Sequence, residues 1–134
     1  MTEEKTQYLF NGYPEIFAGK DAPITQNLMA FGFECSDGWF GIVDDLCSKI
    51  MEHCKTNNVD VPKALQVKEK YASLRFYVVS ADDTVYNLID NAEKQSTKTC
   101  EICGKEGKER NLDGWFQTLC EDCYIKRNSN QPFN

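Results

Sequence analysis

Cys100-Glu101-Ile102-Cys103 and Cys120-Glu121-Asp122-Cys123 set four thiols in the pattern C-x2-C-x16-C-x2-C. Zn2+ takes four soft donors in a tetrahedron, with each sulfur about 2.3 Å from the ion. A two-residue gap lets one tight turn present two thiolates to the same ion. The sixteen-residue gap is long enough for a hairpin that returns the chain to it. Gly104 suits a knuckle in which positive φ helps backbone amides turn toward sulfur. Gly107 and the run Asn111 to Gly114 are turn signals, and Trp115-Phe116-Gln117-Thr118-Leu119 reads as the returning strand. Tyr124-Ile125-Lys126-Arg127 can continue a short helix with the last ligand pair in its first turn, where the helix dipole favours thiolate. The pattern therefore predicts one structural zinc held by Cys100, Cys103, Cys120 and Cys123, in a treble clef or a plain zinc ribbon. A closed shell of four thiolates leaves no position for water or substrate. Redox C-x-x-C pairs usually occur singly in a βαβ context, which this pattern lacks.

The remaining thiols carry less. Cys35, Cys47, Cys54 and the only histidine, His53, raise the ideas of a second metal site or a cysteine nucleophile with a histidine base. Cys47 and Cys54 lie seven apart on an apolar helical stripe, where free cysteine is an ordinary small core residue. His53 projects about 100° from Cys54 at the helical period, so adjacency in sequence does not pair them. No glycine-rich phosphate loop, Ser/His/Asp pattern or zinc-hydrolase signature is present. A cysteine-based enzyme is the weakest of three functional readings.

These residues need a scaffold. Trp39, Ile42, Val43, Leu46, Cys47, Ile50 and Cys54 form one apolar stripe and predict a helix from Trp39 to about Thr56, with Ser36 or Asp37 as its cap. Asn57-Asn58 and Pro62 end it. Two period-two runs, Leu65 to Tyr71 and Leu74 to Val79, predict a hairpin. Ala72-Ser73 is a poor two-residue turn, so a longer or bulged connection is expected. Asp82-Asp83 caps a second helix running to about Gln95. Residues 1–36 read as loop with one short helix, and Leu28 to Phe33 as a strand or extended segment. The fold class is α+β: an acidic helix–hairpin–helix body over 1–97 and a four-cysteine zinc module over 98–134.

Net charge −6 and a pI near 4.8 disfavour general affinity for nucleic acid and make basic protein surfaces the natural partners. Lys+Arg and Asp+Glu number 9 and 15 in residues 1–97, and 6 and 6 in residues 98–134, so neither part is a basic patch. Lys98, Lys105, Lys108, Arg110, Lys126 and Arg127 could still cluster on one face, which keeps a nucleic-acid-binding zinc finger as the second reading. Candidate partner-binding residues are the acidic pair Asp44 and Asp45 and the hairpin residues Glu69, Tyr71, Arg75 and Tyr77. The acidic N-terminus and the lack of a long apolar run predict a cytoplasmic protein.

The tetrapeptide Asp-Gly-Trp-Phe occurs at 37–40 and again at 113–116. The two copies continue differently: the first opens a long amphipathic helix and the second a short strand ending in a zinc ligand. The expectation is one tetrapeptide with two jobs. Trp39 seats the main helix, while Trp115 packs the zinc module and meets the body.

Gly32 to Phe40, Val67 to Tyr71 with Leu74 to Tyr77, and Cys100 to Gly104 with Gly114-Trp115 and Thr118-Leu119-Cys120 fall in an order that resembles a family of small uncharacterised proteins. Tailed phages, prophages and some bacteria encode them, and its members tend to carry glycine where this chain has Ala72-Ser73. The resemblance implies a phage or mobile-element accessory protein acting in a bacterial host cytoplasm. The leading expectation is thus a non-enzymatic protein-binding module that binds and inhibits a host complex, as a counter-defence protein of the anti-CRISPR kind does.

Overall fold

The computed structural model describes residues 1–128. They form a mixed α/β structure with four α-helices and five strands. Helix α1 spans Glu3–Gly12, strand β1 Phe33–Glu34, helix α2 Phe40–Asn57, strand β2 Lys63–Lys70 and strand β3 Ser73–Val79. Helix α3 spans Asp83–Ser96, strand β4 Lys108–Leu112, strand β5 Trp115–Leu119 and helix α4 Glu121–Asn128. Sheet order is β1-β2-β3, with β1 parallel to β2 and β2 antiparallel to β3, and β4-β5 is a separate two-stranded ribbon. No described helix is long and apolar enough to cross a membrane.

The first third of the chain holds more structure than its sparse apolar pattern suggests. Thr2 caps α1 by accepting from the Lys5 amide, and Glu3 and Glu4 in the first turn suit the helix dipole. Only Thr6, Leu9 and Phe10 of α1 are buried, too few to show a clear helical period. Leu28 to Phe33 is mostly a single 3₁₀ turn, Met29–Phe31, before β1. Phe10, Phe17, Phe33 and Phe76 then pack ring against ring, joining α1, β1 and β3 in one core.

The expected cap of α2 is a correction. A 3₁₀ turn, Asp37–Trp39, leads into the helix, and neither Ser36 nor Asp37 caps it with a side chain. Asp37 instead accepts from the Thr2 amide at 2.8 Å and faces Lys5 at 3.6 Å, tying α1 to the start of α2. The far end behaves as the Asn-Asn signal indicates, with Asn58 left-handed at φ 52, ψ 48. Asp82 caps α3 by accepting from the Val85 amide.

The hairpin is also a correction. Lys70 pairs with Ser73, so the turn is the tight two-residue kind, formed by Tyr71 and Ala72. Both have positive φ, 52° and 65°, a conformation that costs a non-glycine residue roughly 1–2 kcal/mol. Neighbours hold it. The Ala72 amide donates to Glu69 at 3.0 Å and its carbonyl accepts from the Thr118 hydroxyl at 2.6 Å. A bulge between Ala64 and Gln66 shifts the strand's parity, burying Ala64 and leaving Leu65 half-buried.

Helix α3 covers the open edge of β3 with side chains. Ser96 accepts from the Leu74 amide and Glu93 from the Phe76 amide, so the edge is satisfied rather than left as a pairing template. Burial pushes the Glu93 carboxyl up, against the opposing pull of the Phe76 N–H. A raised carboxyl binds its proton more tightly in the native chain. Its stabilising contribution is therefore full below the unfolded value of about 4.3 and is lost as pH climbs through the native value. Glu93→Gln keeps the acceptor and removes the titration. Its melting temperature relative to wild type should rise with pH across that window, and a difference that stays flat would refute this account.

Candidate metal centre

A turn, a ribbon and a helix bring the four predicted thiols together. Thr99 bridges to Glu106, and inside that loop the Gly104 amide donates to the Cys100 carbonyl at 2.9 Å. Gly104 has φ 82, as a knuckle requires. The β4–β5 ribbon, turned by Asp113 and Gly114, carries the chain back to Cys120. Cys120 immediately precedes α4, and Cys123 lies in its first turn. All four sulfurs lie within 4.8 Å of one another. The Cys103 and Cys120 sulfurs are 3.5 Å apart, against about 3.8 Å expected between sulfurs around a tetrahedral Zn2+. The arrangement can hold a metal ion.

The electrostatics of the cluster are divided among its thiols. Burial raises Cys120, but the Cys123 amide and the neighbouring thiols outweigh it and bring the group down to about 7. Burial, with the Cys120 and Cys100 thiols, pushes Cys103 up against the pull of the Lys105 amide and the Cys123 thiol, and burial with the neighbouring thiols pushes Cys123 up. A metal ion bound by four thiolates would displace the protons these thiols hold.

The spacing alone gave no hint of Glu101, between the first two cysteines. It is 4% exposed and makes four hydrogen bonds, two that tie the knuckle to the body and two to β5 of its own module. Its carboxylate accepts from the Ser36 amide at 3.0 Å and from the Gln117 side chain at 3.3 Å. Its carbonyl accepts from the Gly38 amide at 2.7 Å, and its own amide donates to Thr118 at 2.9 Å. Burial pushes its carboxyl up, opposed by those hydrogen bonds. A charged residue inside C-x-x-C ordinarily reads as a solvated spacer, so no sequence signal marks this role.

The two tryptophans separate. Trp39 is fully buried, and its indole donates to the Thr99 carbonyl at 2.8 Å, so the first copy joins α2 to the metal module. Trp115 is 60% exposed, which corrects the expectation that it packs the module against the body. Strand β5 buries Gln117, Thr118 and Leu119 instead, and Thr118 makes the body contact. Acrylamide quenching should accordingly resolve one accessible and one protected indole, with Trp115→Phe removing the accessible class. Two equally accessible indoles would contradict the arrangement.

The other candidates are not brought together. Asp44 and Asp45 lie on α2, where Asp44 accepts from the Tyr13 hydroxyl at 2.7 Å and Asp45 pairs with Lys49 at 2.8 Å. Glu69 and Tyr71 sit at the tip of the first hairpin. Arg75 and Tyr77 lie along the solvent face of β3, where Tyr77 lines a separate groove of about 490 Å³ with Ile24, Leu28 and Leu65. Of the module's cations, Arg110 pairs with Glu121 at 3.2 Å and stacks on Tyr124, while Lys105 faces Asp122 at 3.9 Å.

The His53 Nε2 donates to the Asp82 carboxylate at 2.8 Å, and its Nδ1 accepts from the Asn57 side-chain amide at 3.1 Å. Burial pushes the Cys35, Cys47 and Cys54 thiols up, that of Cys35 to about 12. Among the described residues, the four-cysteine cluster is the one group of three or more such side chains close enough to share an ion. Compared with known proteins, the chain matches no family model, no curated protein and no solved structure.

Proposed function

We propose that this chain is a non-enzymatic protein-binding module whose single Zn2+ is structural, held in a treble clef by Cys100, Cys103, Cys120 and Cys123. In that reading residues 1–97 are the acidic body and residues 98–134 the zinc module. The observation that carries it is the seam between them. The knuckle is bonded to the Ser36–Trp39 loop, and β5 is bonded to the first hairpin's turn through Thr118 and Ala72. A metal placed there fixes the relative position of two hairpin tips, a shape and not a reaction site. Four thiolates close the shell, and the thiols outside it are held protonated by burial, opposite to what a nucleophile needs.

The partner in this proposal is a protein or protein complex of a bacterial host, bound and inhibited in the cytoplasm by a phage-encoded accessory protein. Net charge −6 would draw such a complex from a distance through its basic surface. Affinity purification from host lysate at low salt should recover a stoichiometric partner with wild type and lose it with Cys120→Ser. Recovery of no protein partner would sink the proposal, and a steep salt-dependent shift of DNA or RNA mobility would replace it with the nucleic-acid reading.

A further inference from the structure

The two hairpin turns lie side by side and enclose a groove of about 320 Å³ lined by Lys68, Glu69, Lys70, Tyr71, Trp115 and Phe116. Tyr71 is 73% exposed, Trp115 60% and Phe116 39%. Three large aromatic side chains grouped on one rim are more than the scattered apolar exposure every surface carries, and aromatic anchors of this kind dominate the energetics of protein interfaces. The rim is also stiff. Each turn has two residues, all four with positive φ, and the Thr118–Ala72 hydrogen bond locks one ribbon to the other. Tyr71 is a bulky side chain in a left-handed conformation it does not favour. Strain held in place by its surroundings and presenting an exposed ring points to use.

The charge on this rim is opposite to that of the whole molecule. Lys68 and Lys70 line the groove, and Arg75 sits directly across the strand pair from Lys68. Like charges at opposed positions are destabilising. None of these three cations has a carboxylate within ion-pair distance among the described residues, although Glu93 attracts Arg75 more weakly. The one carboxylate lining the groove, Glu69, is turned to the Ala72 amide.

We infer that this groove docks a short segment of a partner protein that carries one large apolar side chain flanked by Asp or Glu. The apolar side chain sits among Tyr71, Trp115 and Phe116, and the carboxylates meet Lys68, Lys70 and Arg75. A short segment fits better than a nucleic-acid strand, because a continuous polyanion would run from three cations onto a body of charge −6. This rests on the protein-binding reading and names one local contact, an acidic segment of a partner whose wider surface is basic.

Selection of a displayed library of peptides about twelve residues long on zinc-loaded protein, with counter-selection on zinc-loaded Trp115→Ala, tests it. The expected clones pair an aromatic or large aliphatic residue with two or more acidic ones, and bind about tenfold or more weakly to Trp115→Ala and to Lys68→Glu/Lys70→Glu. Their binding should shift Trp115 fluorescence to shorter wavelength. Circular dichroism and one zinc per chain in both variants exclude misfolding as the cause. Net-basic clones, or none that discriminate Trp115, overturn the inference. Binding of a fluorescent oligothymidine that weakens steeply with salt overturns it in favour of nucleic acid. A host protein captured equally by wild type and Trp115→Ala removes this groove and leaves the protein-binding reading standing, whereas failure to capture any protein removes both.

Discussion

Cys120→Ser, or treatment with a chelator, is expected to unfold the C-terminal module and bring its bound metal, zinc on the proposed reading, to near zero. The module's own core shows why. Among the described residues of the module, Leu119 is the one fully buried hydrophobic residue apart from Cys100, Cys120 and Cys123, with Ile102, Leu112 and Tyr124 partly covered around it. Burying a leucine yields about 1.5–3 kcal/mol, against roughly 1–2 kcal/mol of backbone entropy for every residue ordered. Structural zinc supplies about 10–16 kcal/mol at neutral pH. The metal therefore dominates, and three thiols cannot replace four. Zinc analysis by plasma mass spectrometry, with near-ultraviolet circular dichroism and a thermal melt, reads the effect. Ribbon and α4 signals should vanish while much of the body's helix remains, because α2 packs on α3 within a separate core. A chelated protein with an unchanged melt would overturn the structural role of the metal.

The site was legible where chemistry dictates spacing. Four thiols at C-x2-C-x16-C-x2-C have few other uses, and the structure gathers them into one cluster. The long α2 stripe and the Asp82 cap were legible for a similar reason, because each follows from local periodicity or a local hydrogen bond. What remained hidden is long-range. Helix α1 buries three residues and shows no period until Phe10 meets Phe17 and Phe33. The turn at Tyr71-Ala72 contradicts local preference and exists because Thr118, 46 residues away, holds the Ala72 carbonyl. Glu101 resembles a spacer until the knuckle is set against Ser36 and Gly38. Propensity describes a residue and its near neighbours, and these features depend on a contact partner far along the chain.

Gly38→Ala and Gly114→Ala alter the same letter of the same tetrapeptide, yet the first should be far more damaging. A Cβ at Gly38 would stand 2.1 Å from the Cys100 carbonyl oxygen and 2.5 Å from the carbonyl atoms of Glu101. Those are backbone atoms of the knuckle, and they cannot swing aside as a side chain does. The knuckle must move by more than 1 Å, roughly the gap to van der Waals contact. It thereby loses the 2.7 Å bond from the Gly38 amide and strains those at Ser36 and Trp39. Overpacking plus lost hydrogen bonds gives about 3 kcal/mol or more, or roughly 10 °C in melting temperature for a domain of this size. Gly114 has open space where its Cβ would stand, and only its φ of 89° resists substitution, so its alanine variant should lose about 1 kcal/mol. The two also differ in kind. Gly38→Ala parts the module from the body while the four thiols still meet, so metal binding at the cluster is retained and acrylamide gains access to Trp39. Gly114→Ala leaves Trp39 protected. Equal melts for the two variants, or loss of zinc from Gly38→Ala, would show that the seam and the metal shell are not separable as the contacts indicate.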